Sequence, residues 1–498
     1  MKKQLLASTA LVAASLLSAG YQAQAQTAFS QPASQPATSQ NIPPFGASAP
    51  ASSPPRFVIR FGGFVTGWVG GAWQDDVGPT SVNGLSVTTG ASNTAVTNNA
   101  RAVTANVHSY SRLNIRADIN LDNGFTPGYF VEWDTSVNNT RQALVTRRAF
   151  GFVESARFGT IQIGDATASW GQMEYREPDV YRGYTAQLLT GTLLQNSVLN
   201  PSGSGFGTTM GAPDNGLLGS SRRNLISYYT PRIEGFQIGA HFAPQVQQNN
   251  AVQGSTIALE NGTNAIARNE WGIAANFVRT FDPGIVVRAI VGYSKAYAPD
   301  SAGFGSLSGQ CGGTGVGGGG ACPDPSFLFV GGQIGYAGFT IGGSYGRMRN
   351  GRVTGNSGQN ISSNLGAIGY PNNTVMDGYN WTVGGTYQYG PWGVGVNYMR
   401  GYNSDCSTSA LVAGACGARD RMTVIGVNGS YQLGPGVYAE LAFFHGKITG
   451  NDWNNGNWVG ATAAPANGTS TTVGATSAQS TVQSNRFTGV FGGISVIF

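Results

Sequence analysis

The stretch NLISYYTPRIEGFQIGAHF (224–242) carries two alternating runs joined by a tight reversal. Ile226 and Tyr228 alternate with Ser227 and Tyr229; Phe236, Ile238, Ala240 and Phe242 alternate with Gln237, Gly239 and His241. Period-two alternation means strands, because successive side chains point to opposite faces. Thr230-Pro231-Arg232 supplies the reversal, since proline fixes its own backbone angle and donates to no ladder. The pair is a β-hairpin, and its pattern recurs down the chain. From Phe57 to Phe498 the sequence resolves into about sixteen such segments of roughly ten residues, the length that crosses a bilayer at a tilt. They include FVIRFGGFVTGWVGGAW (57–73), NVHSYSRLNIRADINL (106–121), RRAFGFVES, TIQIGDA and the closing RFTGVFGGISVIF.

The connections alternate between short and long. LDNGFT, TPRIEG, TFDPG, YAG, YGP and LGPG are short. The stretches Gln74–Ala105, Ala243–Arg268, Pro299–Ser326, Asn350–Met376, Asn403–Arg421 and Gly450–Asn485 are long, polar and rich in Gly and Asn. A soluble sandwich has no reason to extend every other loop, whereas an outer-membrane barrel pairs short periplasmic turns with long extracellular loops. Composition agrees. Only 10% of the 498 residues are charged, 11% are aromatic and 75 are Gly. Mean hydropathy is nonetheless −0.11, as expected where apolar and polar residues alternate. No run approaches the roughly 18 apolar residues of a transmembrane helix, so any crossing is by strands.

The N-terminus has the form of a signal peptide over 1–25: Lys2 and Lys3, an apolar run from Leu5 to Leu17, then Ala23-Gln24-Ala25, with cleavage before Gln26. Residues 26–55 are rich in Gln, Ala, Ser and Pro and lack the apolar surface to fold, which predicts a flexible periplasmic segment ahead of a barrel over 56–498. The formal charge of +5 falls to +3 without Lys2 and Lys3, too small an excess to point to nucleic acid.

In a barrel the aromatic face of each strand looks at lipid and the polar face lines a lumen. SRLNIRADIN states this plainly: Leu113, Ile115, Ala117 and Ile119 form one face, and Arg112, Asn114, Arg116 and Asp118 the other. Four polar groups on one face suit a watery channel and not a dry core. The same parity rule, applied to RRAFGFVES, turns Phe150 and Phe152 to lipid, Arg147 inward and Arg148 outward to the headgroups.

These segments, with the signal peptide, RRAFGFVESARFGTIQIGD, SYYTPRIEGFQIGAHF and the terminal Phe498, resemble the porins of Gram-negative outer membranes, most closely the general diffusion porins of alphaproteobacteria. The resemblance implies a sixteen-stranded antiparallel transmembrane β-barrel, with a long third extracellular loop folded inward to narrow the pore. It implies passive diffusion of small hydrophilic solutes and ions, a homotrimer, surrounding outer-membrane lipid and lipopolysaccharide, and a terminal Phe498 read by the barrel-assembly machinery. The interruption from about Ala166 to Ser221 is the longest in the chain and falls where that loop belongs. It carries Glu174, Glu177 and Asp179 as the acidic side of a constriction. Arg112, Arg116 and Arg147, with Arg60 and Arg223, are its basic side, and opposed charges across a narrow aqueous gap set a transverse field. Ser227 stands where related porins often carry an arginine, which thins that side.

Other chemistry is sparse. His108, His241 and His445 lie on separate strands without metal-ligand spacing, so neither a metal nor another cofactor is expected. His445 is the only candidate base for a surface hydrolase, and the chain reads as no enzyme. GGTGVGGGG lacks the lysine and context of a phosphate loop. Four cysteines allow three pairings; Cys311 with Cys322 and Cys406 with Cys416 each fall within one extracellular loop, in an oxidising compartment. Two alternatives use the same barrel: a substrate-selective channel with an aromatic ladder that includes Tyr229 and Tyr438, and a structural or adhesion barrel plugged by the third loop.

Overall fold

The computed structural model describes residues 56–74, 106–134, 145–180, 222–247, 265–297, 324–353, 374–406, 418–450 and 483–498. The expected signal peptide and the segment 26–55 lie outside them. Sixteen strands follow in order: β1 (Arg56–Gln74), β2 (Asn106–Asn120), β3 (Phe125–Asp134), β4 (Val145–Ser155), β5 (Gly159–Thr167), β6 (Arg222–Tyr229), β7 (Phe236–Gln247) and β8 (Ala265–Phe281). The second half holds β9 (Ile285–Tyr297), β10 (Ser326–Tyr336), β11 (Phe339–Val353), β12 (Thr374–Tyr389), β13 (Trp392–Cys406), β14 (Ala418–Gly434), β15 (Val437–Gly450) and β16 (Gln483–Ile497). A four-residue helix, α1 (Ser169–Gln172), follows β5. Each strand pairs antiparallel with its neighbours in sequence, and β1 pairs with β16, so the barrel is closed and has no edge.

The turns explain the meander. Between β10 and β11, Ala337 (φ 51°) and Gly338 (φ 85°) both take positive φ, the signature of a two-residue type I′ hairpin whose twist matches its strands. At the seam, the Gly63 N–H donates to the Phe498 carbonyl at 2.9 Å and the Phe498 N–H returns a bond to the Gly63 carbonyl at 3.1 Å. The last residue thus fastens the closing strand to the first. Several strands outrun the expected ten residues; β1 has 19 and β8 and β14 have 17, so they absorb the rims of the long loops.

The outer surface carries two aromatic girdles, as a barrel in lipid requires. One lies by the turns: Phe125 stacks on Phe158 (5.9 Å), Phe236 meets Phe277 (4.7 Å), Phe339 stacks on Tyr387 (4.2 Å) and Trp392 meets Tyr431 (4.4 Å). The other lies toward the long loops: Trp271 with Tyr293 (5.7 Å), Tyr379 with Tyr402 (5.1 Å) and Trp381 with Tyr398 (5.0 Å). In the hairpin of β6 and β7, Ile226, Tyr228, Phe236, Ile238 and Phe242 face outward, while Ser227, Tyr229 and His241 are buried inside.

On β4 the expected parity is reversed. Arg148, Phe150, Phe152 and Glu154 are all buried, while Val153 is exposed to lipid. The reason is a pairing of large rings with glycine across the ladder. Phe152 lies opposite Gly128, and a Cβ on Gly128 would strike its ring. The same holds inside the barrel for Phe444 opposite Gly489, Phe487 opposite Gly446, Phe491 opposite Gly70 and Tyr229 opposite Gly239. Each ring lies flat on the wall over a glycine that has no side chain to fill that place. Ring faces are thereby removed from water without occupying the lumen's centre.

Candidate channel constriction

Residues 168–180 leave the end of β5 and run along the inner wall. A buried apolar patch holds their start: Trp170 packs on Phe327 (4.7 Å) and Phe329 (5.2 Å) of β10, in one cluster with Ala168, Met173, Tyr175, Tyr229, Ala274 and Ile290. Trp170 is 0% exposed, and burial of that size stabilises by roughly 2–3 kcal/mol. The lumen wall here is apolar, not polar as the simple alternation rule expects, because a second layer of chain covers it.

Polar contacts then fix the register of this layer. The Ser169 N–H donates to His241 Nδ1 at 3.1 Å, and the Ser169 hydroxyl lies 2.9 Å from the same nitrogen. An accepting Nδ1 leaves the proton on Nε2, which points to Glu270 Oε1 at 3.2 Å. Glu270 is paired in turn with Arg223. This Ser–His–Glu chain is wholly buried, with Ser169 at 0% exposure, so it anchors the segment and offers no accessible nucleophile. Further on, Asn276 donates to the Met173 carbonyl (3.4 Å) and Gln333 to the Arg176 carbonyl (2.8 Å). Gly331 admits the Tyr175 carbonyl so closely that any Cβ would collide with it. Burial raises the Tyr175 phenol above its ordinary value, against the opposing pull of Arg232 and Arg288.

The three expected acids all lie on this segment and are nearly buried, at 7% for Glu174, 7% for Glu177 and 6% for Asp179. Glu174 is paired with Arg176 two residues on, so it adds little net charge. Glu177 accepts from the Thr382 hydroxyl of β12, with its Cβ 3.2 Å from where one on Gly384 would stand. Thr382 also meets the Ser344 hydroxyl at 2.7 Å.

The expected arginines separate into three groups. Arg112 and Arg147 converge on Glu132 of β3 at 3.7 and 2.8 Å. Arg148 joins them through a two-point pair at 2.8 and 3.1 Å. The sequence reading sent Arg148 outward; a register shift at Glu132 and Trp133 instead lets both arginines reach one inward carboxylate. Arg60 and Arg116 form a second group nearer the turns, held by Asp118 and Glu154 on their own wall. Arg223 is the third, committed to Glu270 beneath residues 168–180. Three guanidiniums thus converge on one carboxylate, and in the strand order β4 stands eight strands from β12, directly across the barrel.

His241, Glu270, Glu132, Arg148 and Thr382 were not singled out from the sequence as site residues. Inward parity was the one available signal, and it marks His241 within its hairpin. Tyr229, a rung of the suggested aromatic ladder, lies beneath Met173. Cys311, Cys322 and Cys416 lie outside the described residues; Cys406 ends β13.

A closed sixteen-stranded barrel with two girdles, an inward charged wall and a segment of chain laid along its inner surface has the architecture of a transmembrane channel. The family model described as Gram-negative porin matches residues 7–449, and the chain belongs to that family. It is a diffusion channel of the outer membrane. The fold is similar to the anion-selective porin from Comamonas acidovorans, at 15% identity and TM-score 0.47 over 89% of this chain and 100% of that one. It is similar to the outer-membrane channel DcaP of Acinetobacter baumannii, at 10% identity and TM-score 0.48 over 89% and 97% of the two chains. Salmonella typhi OmpF matches at 14% identity and TM-score 0.46 over 89% and 98%. No curated protein sequence matches the chain significantly.

Proposed function

We propose that the channel sorts small hydrophilic solutes and ions at a two-sided constriction. Its acidic side is Glu177 and Asp179, with Glu174 neutralised locally by Arg176; its basic side is Arg112, Arg147 and Arg148. The observation that carries this reading is the position of Glu177, fastened to Thr382 on β12, with the arginine cluster on β2–β4 across the strand order. Opposed charges in a water-filled gap bounded by low-dielectric walls orient water and polar solutes and discourage apolar ones. Arg60, Arg116 and Arg223 are structural on this reading, each neutralised by a carboxylate of its own wall. The working assembly is a homotrimer, with Phe498 read by the assembly machinery and lipopolysaccharide around the outer rim.

Single-channel recording in planar bilayers tests the proposal. Large ohmic steps are expected, with no block by a particular solute. Replacing Arg112, Arg147 and Arg148 by Gln should move the reversal potential in a salt gradient toward cations. Unchanged potential and conductance would remove these residues from the ion path; absence of steps in the wild type would favour a plugged barrel.

A further inference from the structure

We infer that the inner wall beneath residues 168–180, on the short-turn side, holds a binding site for the carboxylate or phosphate group of a small anionic solute, built from Arg232, Arg288 and the Tyr175 hydroxyl. The inference rests on the reading of the barrel as a channel open to solutes and is independent of the constriction arginines. Tyr175 is 7% exposed, and its hydroxyl has no hydrogen-bond partner among the described residues. A buried phenol ordinarily finds one. The charges that bear on this hydroxyl are the guanidiniums of Arg232 and Arg288. Two cations beside an unused donor form an arrangement that a shared anion completes.

Each group is set in place by the protein itself. The Tyr175 carbonyl is seated against Gly331, where a Cβ would collide with it. Arg288, 6% exposed, is the fourth residue of β9 and lies in register with Gln333, the fourth from the end of β10. It donates to the Gln333 amide oxygen at 3.0 Å, and Gln333 donates onward to the Arg176 carbonyl at 2.8 Å. Arg288 shares its face of β9 with buried Ile290, while Val291 is exposed on the outside, so the guanidinium lies within the barrel. Arg232 belongs to the β6–β7 turn and donates to the Gly235 carbonyl at 2.7 Å and the Gln237 amide oxygen at 2.9 Å. Gln237 alternates with Phe236 and Ile238, which face outward, so this guanidinium is also on the inner side. β7 and β9 flank β8, and at the usual strand spacing they lie about 10 Å apart, near enough for two arginines to converge on one oxyanion.

Charge specifies the ligand. Among the described residues Arg232 has no carboxylate partner; its acceptors are a carbonyl and an amide, which leave its charge uncancelled. The wall on β1–β4 differs, since Arg60 and Arg116 near the same mouth are held by Asp118 and Glu154. Glu174, next to Tyr175 in the chain, is paired with Arg176. A guanidinium presents its N–H groups in a fork that matches two oxygens of a carboxylate or phosphate, and such charge-assisted bonds are about twice as strong as neutral ones. The Tyr175 phenol, which burial keeps protonated, adds one further donor. Two forks and a hydroxyl select an anion over a cation and, through their two-point geometry, an oxyanion over chloride.

The test uses the full-length protein in zwitterionic detergent micelles, titrated with inorganic phosphate and with acetate and followed by phosphorus and proton NMR. Both anions should bind, and chloride at equal concentration should displace neither. Tighter phosphate marks phosphorylated solutes as the source of the group and tighter acetate marks carboxylic acids; either supports the inference. Tyr175→Phe keeps the packed ring and loses only the hydroxyl; it and Arg232→Gln should each weaken both anions about tenfold. Arg157→Gln, exposed in the β4–β5 turn, should leave binding within about twofold, as should the triple variant Arg112→Gln/Arg147→Gln/Arg148→Gln. Heat-modifiable migration of Tyr175→Phe and Arg232→Gln should stay as in the wild type. The inference is overturned if neither anion binds, if chloride displaces them readily, if both single variants bind within twofold of wild type, or if only the triple variant loses binding. A wild-type protein that binds both anions but never conducts would instead strike the channel reading and leave this one standing.

Discussion

Glu177→Gln is the most informative single change in the channel. The carboxylate is held by the Thr382 hydroxyl, and the Gln amide oxygen accepts from the same group, so the segment keeps its path while one negative charge is lost. An ion passing about 5 Å from that charge gains roughly 0.8 kcal/mol in water, cut to about 0.5 kcal/mol by screening at 0.1 M salt. That is a factor of about two in entry for each ion sign, in opposite directions, so the cation-to-anion permeability ratio falls about five-fold. In a tenfold gradient the full span for one charge is about 59 mV, and a five-fold change from a non-selective pore moves the reversal potential by about 30 mV toward anions. Low-dielectric walls make this a lower bound.

The assay is reversal potential between 0.1 M and 0.01 M salt (about 10 and 30 Å of screening length), read with unit conductance on the same channels. Glu234→Gln is the control. That side chain is 77% exposed in the β6–β7 turn and already pairs with Arg279 at 3.1 Å on the outer surface, so a shift of only a few millivolts is expected. If Glu177→Gln moves the potential no more than the control does, and conductance is also unchanged, the carboxylate lies off the ion path. The constriction assignment then fails while the barrel remains.

Glu132→Gln replaces by a neutral amide the carboxylate on which three guanidiniums converge; a loss of roughly 3–5 kcal/mol is expected, seen as a lower temperature for conversion of the heat-modifiable band. His241→Phe removes the acceptor of the Ser169 N–H and the donor to Glu270, leaving buried groups unmet at about 1–3 kcal/mol each; noisier open-channel current is expected, with part of the quiet state restored by His241→Gln. Deleting Phe498 takes away both seam bonds to Gly63 and the terminal aromatic, and should leave unfolded chain in the periplasm; normal insertion would refute that role. Mass mapping of unreduced protein should show Cys311–Cys322 and Cys406–Cys416 as separate linked peptides, whereas free thiols or a link between the loops would defeat the pairing.

Much of the barrel was legible because one rule, alternation at period two, repeats in every strand and is punctuated by turns with their own chemistry. The hairpin 224–242 shows this: both strands, the reversal and the outward aromatic face follow from residue order alone, and Ile226, Tyr228 and Phe242 are exposed on the outside as expected. The constriction was legible only as inventory. Glu174, Glu177 and Asp179 are conspicuous in a chain with few charges, yet their pairing is not: Arg176 neutralises Glu174 locally, while Thr382, 205 residues away, holds Glu177. Sequence separation of that size hides a contact that only barrel closure creates. The grouping of arginines was hidden for the same reason, because Asp118, Glu132, Glu154 and Glu270 each choose partners across a ladder register that residue order does not display.

The reversed parity of β4 has a deeper cause. The rule that aromatics face lipid assumes that a ring's only refuge from water is the membrane. Inside this barrel a second refuge exists wherever the strand opposite offers glycine: the ring lies down on the backbone and its face is covered. Phe152 over Gly128 and Tyr229 over Gly239 therefore point inward at little cost, and the arginines on the same face come with them. Arg116 rests its guanidinium 4.4 Å from the centre of the Phe152 ring, and Arg148 lies 5.4 Å from that of Phe130, so the rings also serve as platforms for the charges of the wall. Gly70, Gly128, Gly239, Gly446 and Gly489 thus shape the inner wall. Glycine opposite a ring lets aromatic surface line a hydrophilic channel without narrowing it, and at Phe152 that surface carries the Arg116 guanidinium.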